Sequence, residues 1–237
     1  MIKALIITCI ASLSSLIGFI LTYFKISKNN ENKLIILALA SSLIIMLYIS
    51  IFDLIPYGFI NINKNIFLTI ILTISGVGVV KIIPRQKEKD LFQIGIICMI
   101  TLMIHNIPEG IITFMSNITK ESIGLKMAVS ILIHNIPEGI AIALPIYYST
   151  KSHFKSFIYT FIAAISEPLG GLLFYLLFKG FISYQIIYYL SIIVGGMMIE
   201  LSINKLLNKC LNYGKRKELN IGLLIGILII TLMSIFI

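Results

Sequence analysis

Long uncharged apolar runs, separated by short polar connections, govern what this chain can become. No charged residue occurs from Ala4 to Phe24, and comparable runs recur through to Ile237. The hydrocarbon core of a bilayer is crossed by a helix of about 20 mostly apolar residues. Of 237 residues, 58% are hydrophobic and 12% charged, and the mean hydropathy is +1.02. Soluble domains carry about 25% charged residues, so part of this chain's solvent is lipid. The first run is too long for the apolar segment of a signal peptide and lacks a small-residue cleavage site, so it reads as a retained helix.

Charge gaps and turn residues predict eight spanning helices, near 2–24, 34–56, 64–83, 91–115, 123–148, 154–178, 184–208 and 219–237. The connections are short, which leaves a single transmembrane domain over 1–237 and no soluble one. The expected class is an all-α integral membrane bundle.

A net charge of +9 raises the possibility of a nucleic-acid partner. The cations, however, lie in short clusters between apolar runs, as in loops facing an anionic leaflet. That pattern argues against nucleic acid and for the lipid bilayer as partner. Odd-numbered connections hold Lys25, Lys28, Lys33, Lys81, Arg85, Lys87, Lys89, Lys151, Lys155, Lys205, Lys209, Lys215, Arg216 and Lys217. Only Lys3, Lys64, Lys120, Lys126 and Lys179 lie at the N-terminus or in even connections, of 19 Lys and Arg in all. The positive-inside rule then makes the odd connections cytoplasmic and places both termini outside. Cys9, Cys98 and Cys210 are isolated, with no CxxC pair, and Trp is absent.

One heptapeptide, HNIPEGI, occurs at His105–Ile111 and again at His134–Ile140, on the fourth and fifth predicted helices. These helices run antiparallel, and each copy lies near mid-helix. His and Glu four apart share one helix face, which pairs His105 with Glu109 and His134 with Glu138. Imidazole nitrogen with carboxylate oxygen suits divalent ions such as Zn, Fe and Mn. Asn106 and Asn135 can add a neutral oxygen. Pro108 and Pro137 free the carbonyls of Ile104 and Ile133, while Gly110 and Gly139 permit close helix approach. The sixth helix adds Ser166-Glu167-Pro168 with Gly170 and Gly171.

Magnitude separates this motif from ordinary packing. A charged side chain at mid-bilayer costs about 2.5–3.5 kcal/mol, so Glu109, Glu138 and Glu167 together cost roughly 8–10 kcal/mol. No Lys or Arg lies near these helix centres to pair with them, and a bound divalent cation offsets the cost best. Asp53 on helix two and Glu200 on helix seven are lesser candidates, each open to a structural as well as a ligating reading. His153 reads as a solvated loop residue and Cys98 as a small core residue.

HNIPEG twice and SEPLGG on helix six resemble the ZIP (Zrt- and Irt-like) metal transporters, and most nearly their bacterial ZupT-like branch. The resemblance covers length, helix number and motif positions. It implies inverted repeats, helices one to three and six to eight, around helices four and five. It also implies a two-metal centre: His105, Glu109, His134 and Glu138 at one site, Asn106, Asn135 and Glu167 at the other, with Glu109 and Glu138 bridging. The implied activity is import of Zn²⁺, Fe²⁺ or Mn²⁺ into the cytosol across a bacterial inner membrane, with no prosthetic cofactor. A homodimer is compatible with the sequence, which does not fix the oligomeric state. Two departures stand out. The 84–90 connection is short and lacks His, which removes a metal-sensing loop, and Ile203-Asn204-Lys205 stands where an acidic pair is common. An intramembrane metal-dependent hydrolase is the alternative, opposed by the absence of HExxH and of an evident nucleophile. A proton-coupled carrier of an organic solute would show no metal dependence.

Overall fold

The computed structural model describes residues 1–24, 28–82, 91–178, 183–213 and 216–236. These form eight helical segments. Helix α1 spans Ile2–Tyr23, and α2 runs from Lys28–Tyr48 through a π turn at Ile49–Leu54 to Ile55–Asn61. Next come α3 (Ile66–Lys81), α4 (Leu91–Thr119), α5 (Glu121–Thr150) and α6 (His153–Phe178). Helix α7 runs from Tyr184–Glu200 through a second π turn at Leu201–Leu207 to Asn208–Tyr213, and α8 is Arg216–Phe236. Among the described residues six helices are long and apolar enough to cross a membrane, and α3 is shorter at 16 residues. The chain is a multi-pass membrane protein.

Local chemistry sets the helix ends. Asn65 caps α3 by accepting from the Leu68 amide at 3.0 Å, and Ser183 caps α7 by accepting from that of Ile186 at 3.4 Å. The α2–α3 turn is made by two residues at positive φ, Asn63 (58°) and Lys64 (56°). Inside α1, the Ser14 hydroxyl bonds back to the Ala11 carbonyl and across to the Leu132 carbonyl, each at 2.7 Å. Hydroxyls that compete for backbone carbonyls bend a helix, and the helical pattern of α1 is interrupted at Ser14–Ser15.

Pairwise packing reveals an internal symmetry. Helix α1 lies on α5 as α6 lies on α4; α8 lies on α2 as α3 lies on α7; and α2 meets α5 as α4 meets α7. Exchanging 1 with 6, 2 with 7, 3 with 8 and 4 with 5 preserves every one of these pairs. Partners five helices apart run in opposite senses through a serial bundle, so the repeat is inverted. Both π turns fall in the exchanged pair α2 and α7. The closest approaches match as well. A Cβ on Gly110 would stand 1.8 Å from the Glu167 carbonyl oxygen, and one on Gly139 would stand 1.8 Å from that of Ser15. Only glycine lets α6 and α1 sit so near α4 and α5.

Several predicted boundaries shift. Helices α2 and α4 continue past 56 and 115, to Asn61 and Thr119. Helix α7 continues past 208 to Tyr213 through its π turn, so Lys209, read above as a connection residue, is helical. His153 is not a loop residue: it opens α6, its ring stacked between Tyr23 (centroids 4.2 Å apart) and Tyr147 (4.5 Å). Thr22 Oγ1 lies 3.0 Å from its Nδ1. The sandwich ties the end of α1 to the α5–α6 turn. Connection residues 25–27, 83–90, 179–182 and 214–215 lie outside the described residues.

Candidate metal centre

The two HNIPEG copies meet at the crossing of α4 and α5. Pro108 and Pro137 lie inside these helices without ending them. His105, His134 and Asn135 are fully buried, as is Glu167, while Glu109 and Glu138 are 2% exposed. The contacts are crossed: His105 Nε2 lies 3.4 Å from Glu138 Oε1, and His134 Nε2 lies 3.3 Å from Glu109 Oε1. Each His thus faces the glutamate of the other copy.

The far side of each ring fixes what the near side can offer. His105 Nδ1 lies 3.3 Å from the Thr101 carbonyl, and His134 Nδ1 lies 3.1 Å from the Ser130 carbonyl. A carbonyl only accepts, so Nδ1 carries the proton and a neutral ring presents its Nε2 lone pair to the carboxylate. Two acceptors then point at each other across 3.3–3.4 Å. A cation, either a proton or a metal ion, resolves that contact.

The outer members of the set attach to α1 and α6. Asn106 Nδ2 donates to the Ala163 carbonyl at 3.1 Å, and Asn135 Nδ2 donates to the Ala11 carbonyl at 3.2 Å. Asn135 also donates to Glu167 Oε2 at 3.0 Å. The carbonyl of Ala164, freed by Pro168, accepts from the Ser12 hydroxyl. Five buried polar atoms of the candidate set have no hydrogen-bond partner: His105 Nε2, Asn106 Oδ1, Asn135 Oδ1, Glu138 Oε1 and Glu167 Oε1. Buried orphans of this kind are rare in a folded protein, and here four belong to the two HNIPEG copies and the fifth to Glu167 of α6. The contacts are nonetheless pairwise: among the described residues no three His, Cys, Asp or Glu side chains converge on one point.

Two cavities flank the crossing. One, of about 590 Å³, opens toward the α4–α5 turn; it is walled by Asp53 and Tyr57 of α2, Glu109 and Ile112 of α4, and Met127, Ser130 and Ile131 of α5. The other, of about 10 Å³, lies on the opposite side and is lined by Cys98, Thr101 and Leu102 of α4, Glu138 and Ala141 of α5, and Leu206 and Lys209 of α7. The repeat spacing of HNIPEG carries Cys98 onto Met127, Thr101 onto Ser130, Leu102 onto Ile131, Glu109 onto Glu138 and Ile112 onto Ala141. The small void is therefore the symmetry image of the large cavity.

Asp53 sits in the π turn of α2 and faces the large cavity. Glu200 is buried where α7 enters its π turn and lines neither cavity. Sequence reasoning missed Thr101 and Ser130, whose carbonyls orient the rings; each stands four residues before its His, the spacing at which a ring nitrogen reaches back one turn. It also missed Ser12, which lies on α1 far from any motif.

Comparison with known proteins completes the picture. The chain matches the model of the ZIP zinc transporters over residues 85–234. The chain belongs to the ZIP family. It is 30% identical to the zinc transporter ZupT of Streptococcus mutans over 95% of this chain and 94% of that one. Against the ZupT of Chlorobium limicola the identity is 32%, covering 94% and 93%; against that of Clostridium perfringens it is 28%, covering 95% and 93%. ZIP proteins form a family of transporters, not of enzymes, and the hydrolase alternative falls away.

Proposed function

We propose that this ZIP protein imports divalent transition-metal ions, Zn²⁺ together with Fe²⁺ and Mn²⁺, into the cytosol through a two-metal centre between α4, α5 and α6. The observation that carries the reading is the pair of crossed His–Glu contacts. A metal ion bonded at about 2.0–2.1 Å to an imidazole nitrogen and a carboxylate oxygen in tetrahedral geometry holds the two atoms about 3.3 Å apart. The His–Glu separations of 3.3 and 3.4 Å match that span and exceed the usual length of a charge-assisted hydrogen bond, about 2.7–2.9 Å. His105, Glu109, His134 and Glu138 form the first site. Asn106, Asn135 and Glu167 form the second, with Glu109 and Glu138 bridging; the orphaned oxygens of both asparagines and Glu167 supply its ligands. The donor set holds no thiolate, which fits several divalent metals and disfavours Cu(I).

The whole chain acts as one transmembrane domain in a bacterial inner membrane, with both termini outside. The large cavity then opens outward, and the ion reaches Glu109 past Asp53. Proteoliposomes loaded with a zinc indicator test this: wild-type protein should admit Zn²⁺, and Fe²⁺ and Mn²⁺ should compete. Zinc flux no greater than that of empty liposomes would refute it.

A further inference from the structure

The large cavity and its symmetry image differ in the wall that α2 gives to one and α7 to the other. On the open side α2 presents Tyr57; on the closed side the equivalent stretch of α7 presents Lys209. Lys209 is only 6% exposed, unusual for a lysine. Its Nζ donates to Cys98 Sγ at 3.2 Å, joining α7 to α4. The side chain borders two small voids, each of about 10 Å³: the one it shares with Glu138, and another lined by Ile35, Leu39 and Ile94. It therefore stands between Glu138 and the odd-connection ends of α2 and α4.

We propose that Lys209 is an exit bolt: its ammonium plugs the cytoplasmic path from the metal centre and is displaced by the arrival of the transported ion. This rests on the metal-transport reading above. With the centre empty, the carboxylates of Glu109 and Glu138 make its negative charge attractive to an ammonium held one cavity away. A divalent ion bound there cancels that charge and repels Lys209 through a low-dielectric interior. Loading the site thus weakens the contact that closes the exit, which couples occupancy to opening. Lysine suits this task better than arginine on steric grounds, because a compact ammonium on a flexible stem withdraws easily.

Cys98 is the natural reporter, since it lies under the bolt. In a Cys9→Ser, Cys210→Ala background, inside-out vesicles are treated with a membrane-impermeant maleimide. Without metal, Lys209→Met should label at Cys98 about tenfold faster than the parent, the change expected when one charge-assisted contact is lost from a two-state equilibrium. Lys209→Arg should stay protected. Zinc should accelerate labelling of the parent and leave Lys209→Met unchanged. Protein that labels equally slowly with and without Lys209, in vesicles where Lys209→Met still binds zinc, overturns the bolt. The metal-free comparison stands apart from transport: if the parent neither binds nor moves zinc, the metal-centre reading fails, whatever Cys98 reports.

Discussion

The two sides of the α4–α5 crossing are built from one pattern and differ in one wall. Each carries a glutamate of HNIPEG, a hydroxyl residue one turn before the His, and aliphatic neighbours at matching positions. The α2 wall leaves about 590 Å³ open, whereas the α7 wall leaves about 10 Å³. An inverted repeat makes both arrangements available to either side, so the asymmetry marks the conformation: one side is open, the other shut. On the proposed reading, the metal centre alone does not decide direction; the helices that face it, α2 with Asp53 and α7 with Lys209, do.

The sharpest way to break this comparison is to probe the matched hydroxyl positions. Ser130→Cys, in a background with Cys9, Cys98 and Cys210 all replaced, should react with an impermeant thiol reagent added outside, and a bulky adduct there should all but abolish uptake. Thr101→Cys should resist reagent from both sides in the metal-free protein. Equal reactivity of the two would erase the asymmetry. A smaller effect is expected at the second metal site. Glu167→Ala should slow zinc uptake about tenfold and shift metal preference, as loss of an outer partner commonly does; unchanged rates and preference would remove Glu167 from the site.

Acidification gives the next step. His ligands bind metal only when neutral, and an ordinary His titrates near pH 6.5. Between pH 7 and pH 5 protons therefore compete with zinc at His105 and His134, and the dissociation constant in detergent should rise by about tenfold or more. A constant that stays flat over that range contradicts His ligation. Least should come from the approach to the centre: Asp53→Asn should lower uptake at limiting zinc by about twofold to fivefold, the scale of a lost solvent-exposed attraction, and leave the maximal rate intact. An effect on the maximal rate would move Asp53 into the centre itself.

How far the sequence carries this account varies by residue. The meeting of His105, Glu109, His134 and Glu138 was legible because a charged motif repeated at mid-membrane depth has no inexpensive structural explanation. Glu167 followed from its own proline and glycines. The helix pairing was not legible: it rests on small residues such as Gly76, whose Cβ would stand 2.0 Å from the Ile193 carbonyl oxygen, and nothing in the sequence names that partner. Lys209 was misread because a cation near a predicted helix end looks like a loop charge, while the π turn of α7 carries the helix past it into the interior. His153 was misread for a similar reason. The aromatic rings that hold it come from Tyr23 and Tyr147, remote in sequence on one side and a full connection away on the other.

The central claim is that the ion is held between α4 and α5 by carboxylates shared between two sites. It is tested most directly by initial zinc uptake at matched membrane abundance for Glu109→Ala, Glu138→Ala and Asp53→Asn. Removing an intramembrane charge eases insertion, so both glutamate variants should reach the membrane. The account predicts uptake at or below about one-hundredth of wild type for each glutamate variant, since losing a ligand costs at least as much as losing its outer partner, with Asp53→Asn largely active. Near-normal uptake by both glutamate variants, with Asp53→Asn inactive, would place the transported ion outside the α4–α5 crossing and contradict the account.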